Sequence, residues 1–241
     1  MSLRCVVFLF FLPFASLNCK QEKERENKNM LNGYVYVSRQ NEYLTWANSS
    51  ISVCWESSDS DREVTLKQNI QHKVVSAYEN TPVRFSGWKA CADTLGQIRV
   101  SLDPKAQISH VKAFGRNLDG IPSGIVFNFD PLKQIDERLL AVTSIHEFGH
   151  ALGLAHEMNR PDNNGKCDFD QTYGQGFEDA YMVGKYDEFS IMNYCFNEKV
   201  LKENSTIGLS SDDINVLRML YQTNEENMNQ SGQKIEPAEI K

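Results

Sequence analysis

Between His146 and Glu157 the chain reads HEFGHALGLAHE, which sets three histidines, a glutamate and a glycine at the spacing H-E-x-x-H-x-x-G-x-x-H. On a helix, His146 and His150 share one face about one turn apart, so their imidazoles can converge on one ion. Glu147 follows the first histidine and can lean over that ion as a base without ligating it. Gly153 allows a left-handed residue that ends the helix, and the returning chain can bring in His156 as a third ligand. Three protein ligands and an open fourth position mark a catalytic zinc rather than a structural one. A core helix with satisfied histidines would account for any one of these residues. It does not account for five fixed positions, whose joint chance occurrence is roughly one chain in a hundred thousand.

Such a site implies a particular chemistry. Zinc acidifies a bound water and polarises a carbonyl. Glu147 would take the proton of that water and deliver it to a leaving amine. The ligands must be neutral, so activity is expected to fall below about pH 6.

A second segment agrees with the first. Ser190 to Tyr194 reads SIMNY, some forty residues downstream. The two segments together resemble the metzincin superfamily, where a tight turn carrying a methionine passes beneath the zinc. Within it, S-x-M-x-Y resembles the astacin family and its bacterial relatives. That resemblance implies that Tyr194 is a displaceable metal ligand, and a hydrogen-bond donor to the oxyanion once it swings off. His156 to Asp162 (HEMNRPD) resembles the astacin H-E-x-x-R-x-D, with Met158 where a glutamine is usual. Over residues 33 to 222 the resemblance implies an α+β fold of the metzincin type. A twisted mixed sheet would pack on two long helices, and an irregular C-terminal subdomain would end in a helix. It implies an exported zinc endopeptidase whose partner is a protein or peptide substrate.

Three departures stand beside it. Glu157 in astacins meets the free amino terminus of the processed enzyme, which a lipidated Cys19 could not offer, and a pair with Arg160 is equally open. There is no room for a long propeptide between Cys19 and the first strand. The zinc helix shares its layout with matrixin and pappalysin relatives, so only Tyr194 and the run to Asp162 favour astacins. Two competing functions remain: a non-catalytic surface adhesin on the same scaffold, and a zinc hydrolase of another substrate. An intact Glu147 argues against the first, and an edge strand that binds extended peptide against the second.

The positioning elements follow from periodicity. Ser49 to Trp55, Val83 to Gly87, Gln97 to Leu102 and Ser123 to Phe129 read as strands. Asp61 to Glu79 has helical spacing, with Val64, Ile70, Val74, Val75 and Tyr78 as its apolar face. A second helix runs from Asp136 to Leu152, its broad apolar surface made by Leu139, Leu140, Val142, Ile145, Phe148 and Leu152. In metzincins the strand before the zinc helix is the lower edge and pairs with extended substrate. Here that would be Gly124 to Phe129, with a plain core strand as the alternative. Pro161 to Gly176 reads as loop. Ser210 and Asp213 form a capping box for a last helix with Ile214, Leu217, Leu220 and Tyr221 inside.

The whole chain has 241 residues, 41 % of them hydrophobic, enough for one well-packed domain. Its net charge of −7 argues against a nucleic-acid partner. Residues 1–18 resemble a secretory signal, with Arg4 before an apolar run too short to span a bilayer comfortably. Leu17-Asn18-Cys19 resembles a lipobox, so the mature chain is either held at a membrane by a lipidated Cys19 or freely secreted. Residues 19–32 would then be a flexible tether and 223–241 a polar, disordered tail. Export makes disulfides plausible. Cys54, Cys91, Cys167 and Cys195 allow three connectivities, of which Cys54–Cys91 with Cys167–Cys195 is favoured.

Overall fold

The computed structural model describes residues 32–36, 42–56, 60–92, 96–168, 180–203 and 205–222. The expected signal, Cys19 with the lipid expected as one alternative, most of the expected tether and the expected polar tail lie outside the described residues. Strand β2 (Ser50–Trp55) buries Ile51, Val53, Cys54 and Trp55. It lies between β3 (Arg84–Ala90) and β4 (Ile98–Leu102), parallel to both. Parallel neighbours need a crossover, and helix α1 (Asp61–Tyr78) supplies it between β2 and β3. A capping box starts α1: Glu63 N donates to Ser60 Oγ at 3.4 Å and Ser60 N to Glu63 Oε2 at 3.2 Å. Leu66, Ile70, Val74 and Tyr78 recur every fourth residue and are buried. Val75, expected on that face, is 43 % exposed, because one helical step turns it about 100° away from Val74.

The five-stranded sheet runs β3-β2-β4-β6-β5, where β5 is His110–Val111 and β6 is Ile125–Phe127. This corrects the expectation of an open edge at Gly124 to Phe129. Strand β6 is parallel to β4 on one side and antiparallel to β5 on the other. Lys112 N extends that second ladder to Gly124 O at 2.8 Å, so the edge is β5. Two residues among polar neighbours carry no alternation that a sequence could show. Strand β6 is also shorter than expected, since Ser123 has φ +49° and turns into Glu56, to which its N donates at 2.6 Å.

Helix α2 (Glu137–Ala151) crosses beneath the sheet against α1, and Tyr78 OH donates to Ile145 O at 2.8 Å. Asp136 caps its start, accepting from Arg138 N at 2.7 Å and Leu139 N at 3.0 Å. Its second half is buried on every side. Leu139 is the exception to the expected face: it sits 43 % exposed in the first turn, clear of the sheet. The carbonyls left over at the far end of α2 find side chains. Trp46 Nε1 donates to Ala151 O at 2.7 Å and Tyr221 OH to Leu152 O at 2.9 Å.

Three further elements were not anticipated. Strands β1 (Gly33–Tyr36) and β7 (Ala180–Val183) form a separate antiparallel pair, and α3 is Tyr194–Lys202. Helix α4 (Ser211–Tyr221) begins at the expected capping box and buries Val216, Leu217 and Tyr221. Ile214 and Leu220 are only half-buried. Val216 takes the inner position, so close to β1 that a Cβ on Gly33 would lie 2.7 Å from it. Both favoured disulfides are present, Cys54–Cys91 and Cys167–Cys195.

Candidate metal centre

His146 and His150 project from the buried last two turns of α2. Gly153, at φ +93°, ends the helix as its sequence position implies, and Leu154 N closes back onto Gly149 O at 3.0 Å. What returns the chain is β1. Leu154 bridges Val35, and Ala155 N donates to Tyr34 O at 2.8 Å. His156 follows and faces the other two: its Nε2 lies 3.2 Å from His146 Nε2 and 3.0 Å from His150 Nε2.

The opposite nitrogens decide what the Nε2 atoms can be. His146 Nδ1 is 3.0 Å from Ile191 O, and His150 Nδ1 is 2.8 Å from Leu154 O. A carbonyl only accepts, so each Nδ1 carries the proton and each Nε2 is a bare lone pair. The His156 Nδ1 is buried with no hydrogen-bond partner among the described residues. Lone pairs converging in a buried space repel unless a cation takes them together. Three imidazole nitrogens are a donor set that suits zinc, so the residues fit that ion. Burial pushes the His146 imidazole down to about 4, and burial joined by the neighbouring histidines pushes His150 well below its ordinary value. His156 is lowered in the same way. All three therefore favour the neutral form that ligates a metal. Phe114 sets its ring edge-on to His150, with centroids 5.4 Å apart.

Glu147 is buried beside them, and burial raises its carboxyl to about 8. Tyr194, the first residue of α3, brings its ring centroid to 4.8 Å from that of His156 and 5.2 Å from that of His146. Its phenol is pushed up by burial and then by the charge of Glu147. The five residues singled out in the sequence thus meet in one place.

The turn from Ser190 to Asn193 passes beneath them. Asn193 N donates to Ser190 O at 3.0 Å, and Glu157 N to Met192 O at 3.1 Å. Met192 is buried against α2: a Cβ on Gly149 would lie 2.5 Å from its sulfur. Only glycine lets the turn approach the helix so closely. The Cys167–Cys195 bridge then ties the residue after Tyr194 to the loop beyond His156.

Glu157 and Arg160 also find their partners. Glu157 Oε1 accepts from Asp187 N at 2.7 Å and lies 3.5 Å from Arg160 Nε. The pair with Arg160, one of the two roles open to Glu157, is present among the described residues. Burial raises the Glu157 carboxyl to about 8, opposed by the Asp187 amide and Arg160. Arg160 is itself buried, forks onto Asp162 at 2.8 and 2.9 Å, and donates to Gly33 O, Val183 O and Gly184 O. The arginine and aspartate of the sequence motif are thus a pin through β1 and β7.

Sequence reasoning missed the supports of the turn. Asp213 was seen only as a cap, yet its Oδ1 accepts from Ser190 Oγ at 2.7 Å and its Oδ2 from Ile191 N at 3.0 Å. Asn197 Nδ2 donates to Ile191 O at 2.8 Å. Its place three residues after Tyr194, on one helix face, was the available signal.

No family model matches this chain, and neither does any curated protein. Solved structures do. The chain is similar to myroilysin at 22 % identity and a TM-score of 0.53, over 80 % of this chain and all of that one. A second myroilysin structure gives 22 % and 0.49, over 75 % of this chain and 86 % of that one. High choriolytic enzyme 1, a hatching-enzyme zinc-protease of the medaka Oryzias latipes, gives 19 % and 0.42, over 73 % and 92 %. The first of these shows the fold: the mixed sheet and packed helices make an α+β fold that this chain shares with myroilysin, of the metzincin type expected from its sequence.

Proposed function

We propose that this chain is an exported zinc-dependent endopeptidase. His146, His150 and His156 would hold the ion, with Tyr194 as a further, displaceable ligand. The observation that carries this reading is the meeting of three imidazole Nε2 atoms, two of them fixed as lone pairs, beside a buried carboxyl. When bound, the zinc would supply Lewis acidity to a substrate carbonyl and to a neighbouring water. Glu147 accepts the proton of the attacking water and passes it to the leaving amine. Burial raises this carboxyl in the metal-free protein, and a cation bound beside it would lower it again toward the form that accepts a proton. Tyr194, once displaced from the ion, would donate a phenol hydrogen bond to the charge that develops on the substrate oxygen. An extended protein or peptide is the substrate.

Residues 33–222 form the catalytic domain of this reading. The two disulfides support export, since such bonds persist in oxidising compartments. The leader would be removed and the chain released, or held at the surface through Cys19. No described helix is long and apolar enough to cross a membrane.

Cleavage of casein by the purified exported chain, wild type beside Glu147→Ala and both loaded with zinc, tests the reading. The wild type should cut, and the variant should keep its zinc and lose at least about 10²-fold in rate. Equal cleavage by both would remove Glu147 from the chemistry. A zinc-loaded wild type that leaves casein and unstructured peptides intact would favour a binding role.

A further inference from the structure

The three imidazoles are not supported alike. His150 leans on a carbonyl of its own turn, and His156 Nδ1 has no partner among the described residues. His146 is different: Ile191 O, which accepts its Nδ1 proton at 3.0 Å, belongs to the peptide that joins Ile191 to Met192. The N–H of that same peptide, on Met192, donates to Ser190 Oγ at 3.0 Å. The hydroxyl of Ser190 donates in turn to Asp213 Oδ1 at 2.7 Å. Every donor along this path points the same way, from imidazole to peptide to hydroxyl to carboxylate. All of its members are buried.

Building on the zinc reading, we propose that Ser190 and Asp213 are positioning residues for His146, the far end of a relay that runs through the Ile191–Met192 peptide. A carboxylate behind a ligating histidine fixes the tautomer and makes the ring a better donor. Here the carboxylate does so at a distance. Hydrogen bonds that share an amide polarise one another: a Met192 N–H drawn toward Ser190 leaves Ile191 O richer in charge, and it holds the His146 proton more firmly. The Nε2 lone pair gains accordingly. Asp213 is equipped to remain an anion in its buried place, because Ile191 N and Ser210 N, each at 3.0 Å, also donate to it. Asn197 Nδ2 makes the second bond to Ile191 O and keeps the carbonyl aimed. Asp213 comes from α4 and His146 from α2, so the relay also makes the last helix part of the metal centre's support.

The test uses the exported chain stripped of metal, as wild type, Ser190→Ala, Asp213→Asn, and the double variant. Zinc affinity is measured by chelator competition, and the His146 Nδ1 proton and its nitrogen by NMR in the metal-free protein. Each single variant should weaken zinc binding by about 10–100-fold. The double variant should be no weaker than the worse single, as expected of residues in series. The His146 Nδ1 proton should move upfield in each. Asp212→Asn, one residue away and turned to Asn32, should leave both readouts unchanged. A residue that only held the turn together would lower the melting temperature and leave zinc affinity and the proton shift where they were. If Asp213→Asn fails to fold, Ser190→Ala decides alone. Wild-type zinc affinity and an unmoved proton in a folded Ser190→Ala overturn the relay. A wild type that takes up no zinc counts against the endopeptidase reading, and the relay is then judged on the proton shift.

Discussion

Each of the three histidines is buried as a neutral ring, and this makes the metal-free protein sensitive to acid. His146 is depressed by burial from its ordinary value to about 4. Above the ordinary histidine range neither the folded nor the unfolded chain holds the extra proton, and the stabilising contribution is complete. As pH falls from about 6.5 toward 4, the unfolded chain accepts a proton that the folded chain refuses, so stability is lost across that window. The slope is up to about 1.4 kcal/mol per pH unit for each histidine. Glu157 acts in the opposite sense. Raised by burial from about 4.5 to about 8, it favours folding fully at low pH, and that contribution is lost as pH rises across that interval. Glu147 and Asp213, raised to about 8 and about 6, act with Glu157, so the histidine contribution is read as a difference. As pH drops from about 6.5 to about 4.5, the urea midpoint of the metal-free wild type should fall relative to that of His146→Phe; an unchanged difference would contradict the buried, neutral state of His146.

Among the elements, β1 has the largest effect for its size. It returns the chain after Gly153, packs on α4 through Gly33, and is pinned to β7 by Arg160. Replacing Arg160 by Ala would strand Asp162 and Glu157 and leave the carbonyls of Gly33, Val183 and Gly184 without their donor. The expected cost is about 3–5 kcal/mol in urea unfolding, as for other broken buried pairs. Faster amide exchange should be confined first to β1 and β7, and unchanged protection there would show that the pin is dispensable. The return after Gly153 and the Glu157–Arg160 pair were open to the sequence, but the two strands were not. GYVY and AYMV are too short for alternation to declare them, and their pairing joins residues about a hundred and fifty positions apart. The end of α2 and the turn after it were readable because the motif fixes five positions within eleven residues. The edge was misplaced for a related reason: apolar residues mark β6 as a strand, but nothing in them states which neighbour it will have. Leu139 and Val75 show the limit of periodicity, which finds a face and leaves its margins undecided.

For the molecule as a whole, the two disulfides divide the labour. Cys54–Cys91 ties β2 to the end of β3, while Cys167–Cys195 reaches across 28 residues to the first turn of α3. Loop-closure entropy for a ring of that size is worth about 3–4 kcal/mol. Replacing Cys167 and Cys195 by Ser should lower the unfolding free energy by up to that amount and weaken zinc binding, because Tyr194 and the turn before it lose their outer anchor. Unchanged zinc affinity in the folded variant would place the bridge outside the site's support.

The position of Asp213 has a bearing on the order in which the protein is made. The turn under the histidines is clamped by a residue that lies 67 positions after His146, close to the last described residue. A chain emerging from the ribosome adds about 5–20 residues per second. For several seconds it therefore carries all three histidines while their support is still unmade. Under the proposed function no cleavage is expected from the chain at this stage, since α4, the last described helix, brings the carboxylate that completes the support of the histidines.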